Sequence, residues 1–393
     1  MNPDLARLHP YPFEKLATLF QDLEIVDKSP IALSIGEPQH PAPAFIQTIV
    51  RDNTDLLARY PSTLGIIELR QAIAGWLMRR YALRAVDAAH QVLPVNGTRE
   101  ALFAFAQAQL ERQQTPLVMM PNPFYQIYEG ATLLAGGEPR YLPCTDASGL
   151  KADFGAVPAA DWQRCQLLYL CSPGNPTGAV LNIAEMQQLI ALADRHNFII
   201  AADECYADIY TDQPPPGLLA ACQAMGRDDF RRCVVFHSLS KRSNLPGMRA
   251  GFVAGDADVL ASFLRYRTYH GCAMPMHHQL ASIAAWQDDQ HAADNRAQYR
   301  EKFAAVLSIL GDVLDVRPPD AGFYLWPRTP IDDTVFAREL KRQQNVTVLP
   351  GSYLSRPVNG SNPGANHVRM ALVASLDECV EGAQRIRQFV EHL

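Results

Sequence analysis

The chain has 393 residues and a mass of 43.6 kDa, the length of about two or three ordinary domains. With 48% hydrophobic and 19% charged residues it has the apolar material for a large core, which excludes a disordered chain. Its 35 basic and 41 acidic residues leave a net charge of -6, so no basic surplus exists to neutralise a nucleic-acid backbone, although a local basic site for a small anion stays open.

Taken from the start, the first twenty residues lack a basic segment followed by an apolar run, and no apolar run approaches the ~18 residues of a membrane helix. A cytoplasmic protein with no membrane partner is expected. QVLPV (91–95) reads as a buried strand, followed by Asn96-Gly97-Thr98 and a helical stretch, 99–110. QLLYLCS (166–172) is a second such strand. After the Gly/Pro-rich loop SPGNPTG (172–178) a helix is predicted over 183–197, with Met186, Leu189, Ile190 and Ala193 on one face and Asn182 with Glu185 as a capping pair. FIIAAD (198–203), CVVFHSLS (233–240) and RAGFVAG (249–255) are further apolar runs. Continuous apolar strands separated by helices predict an α/β fold with a parallel sheet covered on both faces.

From about residue 275 the pattern becomes α+β. Long helices over 276–313 and 333–344 flank DAGFYLWP (320–327), and VTVLPG (346–351) and HVRMALV (367–373) follow. We expect an N-terminal segment, 1–40, packed with a small C-terminal domain, 276–393, and a large domain over 41–275. The eight cysteines are scattered without a C-x-x-C pair, which predicts reduced, mostly buried thiols. No metal-ligand spacing occurs.

Parallel sheets bind ligands beyond the carboxyl ends of their strands, so the polar residues there carry the functional reading. Lys241 follows the run 233–240; it is either a surface lysine opening a loop or an amine that forms a Schiff base with a carbonyl cofactor. Ser238, Ser240 and Arg249 around it suit a phosphate. Asp203 closes an apolar strand, as a helix cap or structural ion pair, or as the partner of a protonated heteroaromatic nitrogen; Tyr206 follows within reach. Asn175 lies in a rigid loop at another strand end. Gly97-Thr98 sits where a helix N-terminus presents free N–H groups. Tyr125, in a Pro-bounded loop, can stack on a flat ring or pack in the core. Arg369, in a short half-buried strand, suits bidentate carboxylate recognition or a structural pair.

Together these residues resemble the class I/II aminotransferases of fold-type I, which depend on pyridoxal 5'-phosphate. The resemblance runs from SIGEP (34–38) through YPSTLGIIELR (60–70), SPGNPTG, DECY (203–206), SLSK (238–241) with Arg249, and GFYLW to HVRMALV. It implies a large domain on a mostly parallel seven-stranded sheet and a smaller α+β domain. It implies that Lys241 carries the cofactor and acts as the proton-transferring base, that Asp203 keeps the ring nitrogen protonated, and that Asn175 and Tyr206 bind the ring oxygen while Tyr125 stacks on the ring. Thr98, the backbone of Gly97 and Arg99, Ser238, Ser240, Arg249 and a partner-subunit Tyr60 would hold the phosphate. Arg369, with Asn175 and the backbone near Gly36, would bind the substrate carboxylate. A homodimer with shared active sites follows from the role of Tyr60.

Within that family, residues 2–16, DECYADIY (203–210), 267–286 and 295–303 resemble the bacterial N-succinyl-diaminopimelate aminotransferases. That implies amino transfer between N-succinyl-LL-2,6-diaminopimelate and 2-oxoglutarate, with glutamate as donor, in the diaminopimelate route of lysine biosynthesis. Distal contacts are expected from Tyr269 to Met276, of the same chain or of the partner subunit, with Arg267, His277 and His278 as candidates; the histidine pair reads first as a helix surface or core position. The alternatives are aspartate, alanine or aromatic transamination, and C–S β-elimination. Ser238-Leu239-Ser240-Lys241 also spells S-x-x-K, but the K-T-G and S-D-N elements of penicillin-binding enzymes are missing. A DNA-binding regulator on the same fold would need a basic extension that the sequence does not show.

Overall fold

The computed structural model describes residues 2–393. Twelve strands are formed among them. In chain order they are β1 (Ile31–Ala32), β2 (Val92–Val95), β3 (Leu117–Asn122), β4 (Glu138–Pro143), β5 (Cys165–Cys171), β6 (Ile199–Asp203), β7 (Cys233–Ser238), β8 (Gly251–Gly255), β9 (Tyr324–Leu325), β10 (Val346–Thr347), β11 (Leu349–Pro350) and β12 (Val368–Ala371). No helix among the described residues is long and apolar enough to cross a membrane.

Seven strands make the main sheet, in the order β2-β8-β7-β6-β5-β3-β4. Its pairings are parallel except at β8, which runs antiparallel to both β2 and β7. The mostly parallel seven-stranded sheet expected from the resemblance is therefore present. Alternate residues go to opposite faces, as the pleat demands. In β5, Leu168 and Leu170 join the core on one face, and Leu167 and Tyr169 the core on the other. Both faces are covered, which is why the strand reads as an unbroken apolar run.

The helix predicted over 183–197 is Ile183–His196. Its four predicted face residues are buried, and Asn182 and Glu185 form the reciprocal cap. Three predicted elements differ in detail. The run 233–240 ends as a strand at Ser238, and Lys241 lies in a one-turn helix, Leu239–Arg242, instead of a loop. Ser238 turns its hydroxyl onto the Ser240 N–H at 3.0 Å, which starts that turn. The helix expected over 276–313 is two, Met276–Gln287 and Gln290–Leu310. Between them the Asp288 carboxylate accepts the His291 N–H at 2.9 Å, and the Asp288 carbonyl and Asp289 carboxylate receive the buried Arg242 guanidinium. Capping the second helix and satisfying Arg242 outweigh one more turn. The third difference concerns Arg369, which is buried on β12 and not half-buried.

A second core lies between the short strands β1, β9, β10 and β12 and the helices Gln290–Leu310, Asp333–Gln344 and Leu376–Val390. The N-terminal segment joins it. β1 pairs in parallel with β10, the Val26 N–H reaches the Arg342 carbonyl at 3.0 Å, and Leu16 packs with Trp326, Leu349 and Leu354. All eight cysteines are free thiols, five of them buried.

Candidate active site

The carboxyl ends of β5, β6 and β7 and the start of helix Thr98–Gln109 open on one cavity of about 500 Å³, within the range of ligand sites. Every residue named from the sequence for the cofactor and the substrate α-carboxylate lines it, apart from Tyr60 and Gly97. Gly97 stands at its edge as the residue before the helix, with φ 83° and ψ 152°, a conformation almost restricted to glycine. A Cβ there would collide with the Arg249 guanidinium. Tyr60 is fully exposed and does not line the chain's own cavity.

A larger groove of about 760 Å³ lies at the other end of the sheet, beside the first residues of β5 and β6, Cys165 and Ile199. It contains no lysine and lacks the convergent strand-end groups, so the chemistry is assigned to the smaller cavity.

Lys241 Nζ donates to the Gly36 carbonyl at 2.6 Å and lies 5.3 Å from the Phe323 ring centre. Burial in these walls, with Arg369 and Arg249 nearby, pulls its ammonium down to about 8. The Asp203 carboxylate is buried. It accepts the Tyr128 hydroxyl at 2.8 Å and the Cys205 N–H at 3.2 Å, and it has no cation in an ion pair among the described residues. Desolvation pushes its carboxyl above the usual range despite those two donors. An N–H⁺ facing it would supply the missing counter-charge. Tyr206 is buried with its hydroxyl 3.0 Å from that of Tyr324, and desolvation holds its phenol well above the ordinary value. Thr98 Oγ1 lies 3.2 Å from Cys205 Sγ on the cavity floor.

Two basic groups mark anion positions. Arg249 is held by one bond, Nη1 to the Pro246 carbonyl at 2.7 Å, and makes no ion pair among the described residues. It faces the N-terminus of helix Thr98–Gln109 across Gly97. A guanidinium, hydroxyls of Thr98, Ser238 and Ser240, and free helix N–H groups form a phosphate cradle. Arg369 donates Nη1 to Asn175 Oδ1 at 3.1 Å and Nη2 to the Ser34 carbonyl at 2.7 Å, and its buried Nε has no partner. It lies over the Tyr324 ring, 4.5 Å from its centre. The residues therefore fit a flat, phosphorylated pyridine: an amine, a carboxylate lacking its cation, an anion cradle and an aromatic wall that includes Tyr125.

The structure does not bring the distal candidates to this cavity. Arg267 is fully buried and donates Nη1 to both oxygens of Glu100 at 2.8 and 2.9 Å and Nη2 to the Cys272 carbonyl. It is a structural ion pair, which corrects the expectation for it. His277 is buried, and His277 and His278 pack edge to face in helix Met276–Gln287, outside the cavity. Glu100, His270 and Cys272 bring one donor atom each within 4.8 Å, but Arg267 already occupies both Glu100 oxygens. Sequence reasoning missed Tyr11, Tyr128, Tyr324 and Glu37. Tyr324 was visible within GFYLW and Tyr128 within PNPFYQIYEG, where each passes for a core aromatic. The side chain of Arg99 was also missed: its Nη2 donates to Tyr11 hydroxyl at 2.9 Å, it lines the cavity, and it has no carboxylate partner among the described residues.

Comparison with known proteins agrees with this geometry. The sequence profile of the family "Aminotransferase class I and II" matches residues 28–386. The chain is 31% identical over 392 residues to an LL-diaminopimelate aminotransferase of Nitratidesulfovibrio vulgaris, covering 97% of each. An aminotransferase from Neisseria meningitidis superposes with TM-score 0.96 at 47% identity, covering 99% of this chain and 100% of that one. A probable N-succinyldiaminopimelate aminotransferase from Thermus thermophilus superposes with TM-score 0.85 at 27% identity, covering 96% and 99%. The chain belongs to the class I and II aminotransferases, and its cofactor is pyridoxal 5'-phosphate.

Proposed function

We propose that this aminotransferase acts on a long diamino dicarboxylate of the diaminopimelate type, favouring N-succinyl-LL-2,6-diaminopimelate, with 2-oxoglutarate and glutamate as the exchange pair. One observation carries the reading. Three guanidiniums line the cavity without carboxylate partners among the described residues, and only two have a place in the common chemistry. Arg249 takes the cofactor phosphate and Arg369 the substrate α-carboxylate. Arg99, held at the mouth by Tyr11, is left for a second carboxylate at the far end of the substrate. Glutamate, 2-oxoglutarate and a succinylated diaminopimelate all carry one.

LL-diaminopimelate is the second reading, favoured by the name of the relative from Nitratidesulfovibrio vulgaris. Its distal end carries an ammonium as well, and Glu37 is the exposed acidic residue of the cavity that suits it.

The residues divide the work. Bound in the cavity, the pyridoxal ring supplies an electron sink that makes the substrate Cα–H acidic. Asp203 would hold the protonated ring nitrogen, and Tyr128 keeps that carboxylate in place. Lys241 Nζ takes the proton from the substrate Cα and returns it as a general acid; its pKa of about 8 suits both directions near neutral pH. Arg369 and Asn175 orient the α-carboxylate so that the Cα–H points at the amine. Tyr206 and Asn175 hold the ring oxygen. Tyr60, fully exposed here, is proposed to complete the phosphate site of a partner subunit, which makes the active unit a homodimer. We also propose the division into a segment 1–40, a large domain 41–275 and a small domain 276–393, with helix Met276–Gln287 lying across the boundary because it packs Ala281, Ala285 and Trp286 into the core of the large domain.

The test is a half-reaction screen. Cofactor-loaded protein is mixed separately with N-succinyl-LL-2,6-diaminopimelate, LL-diaminopimelate, glutamate, aspartate, alanine and phenylalanine, and the cofactor absorbance is followed. Fast conversion with the succinylated compound and with glutamate is expected. Response to LL-diaminopimelate alone moves the assignment to the second reading. Pyruvate release from cystathionine without a keto acid moves it to β-elimination.

A further inference from the structure

The one-turn helix Leu239–Arg242 closes its Leu239 carbonyl on the Ser243 N–H at 3.0 Å and leaves its later carbonyls without following N–H donors. Two of them, of Lys241 and Arg242, are satisfied from outside the sheet by Asn295 Nδ2, at 3.0 and 3.1 Å. Asn295 is buried on helix Gln290–Leu310. Its Oδ1 accepts from Asn244 Nδ2 at 2.9 Å and meets His40 Nδ1 at 2.8 Å.

These contacts determine the hydrogens. Nδ2 faces carbonyls only, so Oδ1 is the acceptor and His40 Nδ1 carries the proton. His40 Nε2 lies 2.6 Å from Lys302 Nζ, which can only donate, so Nε2 accepts and the ring is neutral. Lys302 is itself buried, with the Val373 carbonyl at 3.4 Å as its other contact. Tyr299 packs against both, its ring centre 4.7 Å from that of His40 and 5.2 Å from Lys302 Nζ. The carboxylates nearby, Glu301 and Glu378, line the adjoining surface cavity.

His40 also ends a strap, residues 34–40, that touches the active groups from the other side. The Ser34 carbonyl receives Arg369 and the Gly36 carbonyl receives Lys241 Nζ. The lysine is thus gripped at both ends: its amine by the strap, and its backbone by Asn295, which the strap's own His40 holds.

We infer that Asn295, His40 and Lys302 are positioning residues for Lys241, fixing the backbone from which the amine projects and tying it to the strap that meets Arg369. The inference rests on Lys241 being the catalytic lysine. None of the three lines the cofactor cavity. Their effect is geometric, and a displacement of the amine of ~1 Å is worth about a hundredfold in rate.

The experiment uses purified holoenzyme of Asn295→Asp, His40→Phe and Lys302→Met. The first keeps shape but turns an oxygen toward two carbonyls, the second keeps the ring on Tyr299, and the third keeps the stem of the lysine. Steady-state constants, the pH titration of the cofactor's visible band and borohydride trapping followed by peptide mapping are measured on each. Expected is a fall in kcat of about 10- to 100-fold with KM for glutamate changed by no more than about threefold, a displaced band midpoint, and trapping still at Lys241. If Asn295→Asp yields no folded protein, the other two variants decide. Folded variants with wild-type kcat and band midpoint, or with a lower melting temperature as their sole defect, overturn the inference. Trapping of wild-type enzyme at another lysine overturns the site assignment, and this inference with it.

Discussion

Replacing Arg369 tests the substrate half of the site most directly. Its guanidinium is buried, spends one N–H on Asn175 Oδ1 at 3.1 Å and one on the Ser34 carbonyl at 2.7 Å, and keeps a buried Nε without a partner. It therefore has donors in reserve for a carboxylate in an enclosed place. A hydrogen bond to a charged group contributes about 1.5–3 kcal/mol, so a bidentate pair lost in Arg369→Ala removes about 3–6 kcal/mol. At 1.4 kcal/mol per decade, kcat/KM for glutamate should fall by roughly a hundredfold to ten-thousandfold. Arg369→Lys keeps the charge and one line of donation, and should fall about 10- to 100-fold. The assay compares glutamate with an amine of the same length lacking the α-carboxylate, with cofactor content and melting temperature as controls. The amine's kcat/KM should stay within a few-fold of wild type. Equal losses for glutamate and the amine, with full cofactor content, would refute the assignment of Arg369 to the α-carboxylate.

Four other predictions follow from distances and charges in the structure. Because burial lowers the Lys241 ammonium to about 8, the neutral fraction needed for cofactor capture shrinks tenfold per pH unit below that value; apoprotein reconstitution should speed up with pH to about 8 and then level, and a rate still climbing at pH 10 would contradict it. Gly97→Ala drives a Cβ into Arg249 from a backbone conformation strained for alanine by about 1–3 kcal/mol, so cofactor should be lost on dialysis that the wild type survives. Breaking the buried pair between Arg356 and Glu129, whose two bonds are 2.6 and 2.8 Å, by Glu129→Gln should cost about 3–5 kcal/mol, read as a drop in melting temperature; an unchanged melt would count against it. Mixing Lys241→Ala with Tyr60→Ala subunits should restore activity that neither parent has, since one site of each mixed dimer then contains both groups; no recovery after verified exchange would rule out sharing.

The cofactor half of the site was legible in the sequence because its groups sit at strand ends, and strand ends are marked by apolar runs that stop. Asp203 and Ser238 close such runs, and Asn175 lies in the rigid loop just beyond one. The helix Ile183–His196 was legible down to its cap, since both face and cap are local. Long-range pairings were not. Glu100 lies 167 positions before Arg267 and Asn295 54 after Lys241, and nothing local in either segment names its partner. The reversed direction of β8 was also hidden, because its strand GFVAG (251–255) is apolar at every position and strand direction leaves no mark on such a run. The break at Asp288 and Asp289 depended on Arg242, which only the folded chain brings there.

That reversed strand has an effect on how this protein can change. β7 and β8 are antiparallel neighbours joined by residues 239–250, so the lysine and the phosphate-side arginine ride on one hairpin. Arg369 and Tyr11 come from distant segments that meet the hairpin across the cavity. Mutations that retune which acid is accepted can accumulate along those outer segments while the moorings of the vitamin stay untouched, so new specificities are open to this scaffold without re-inventing its catalysis.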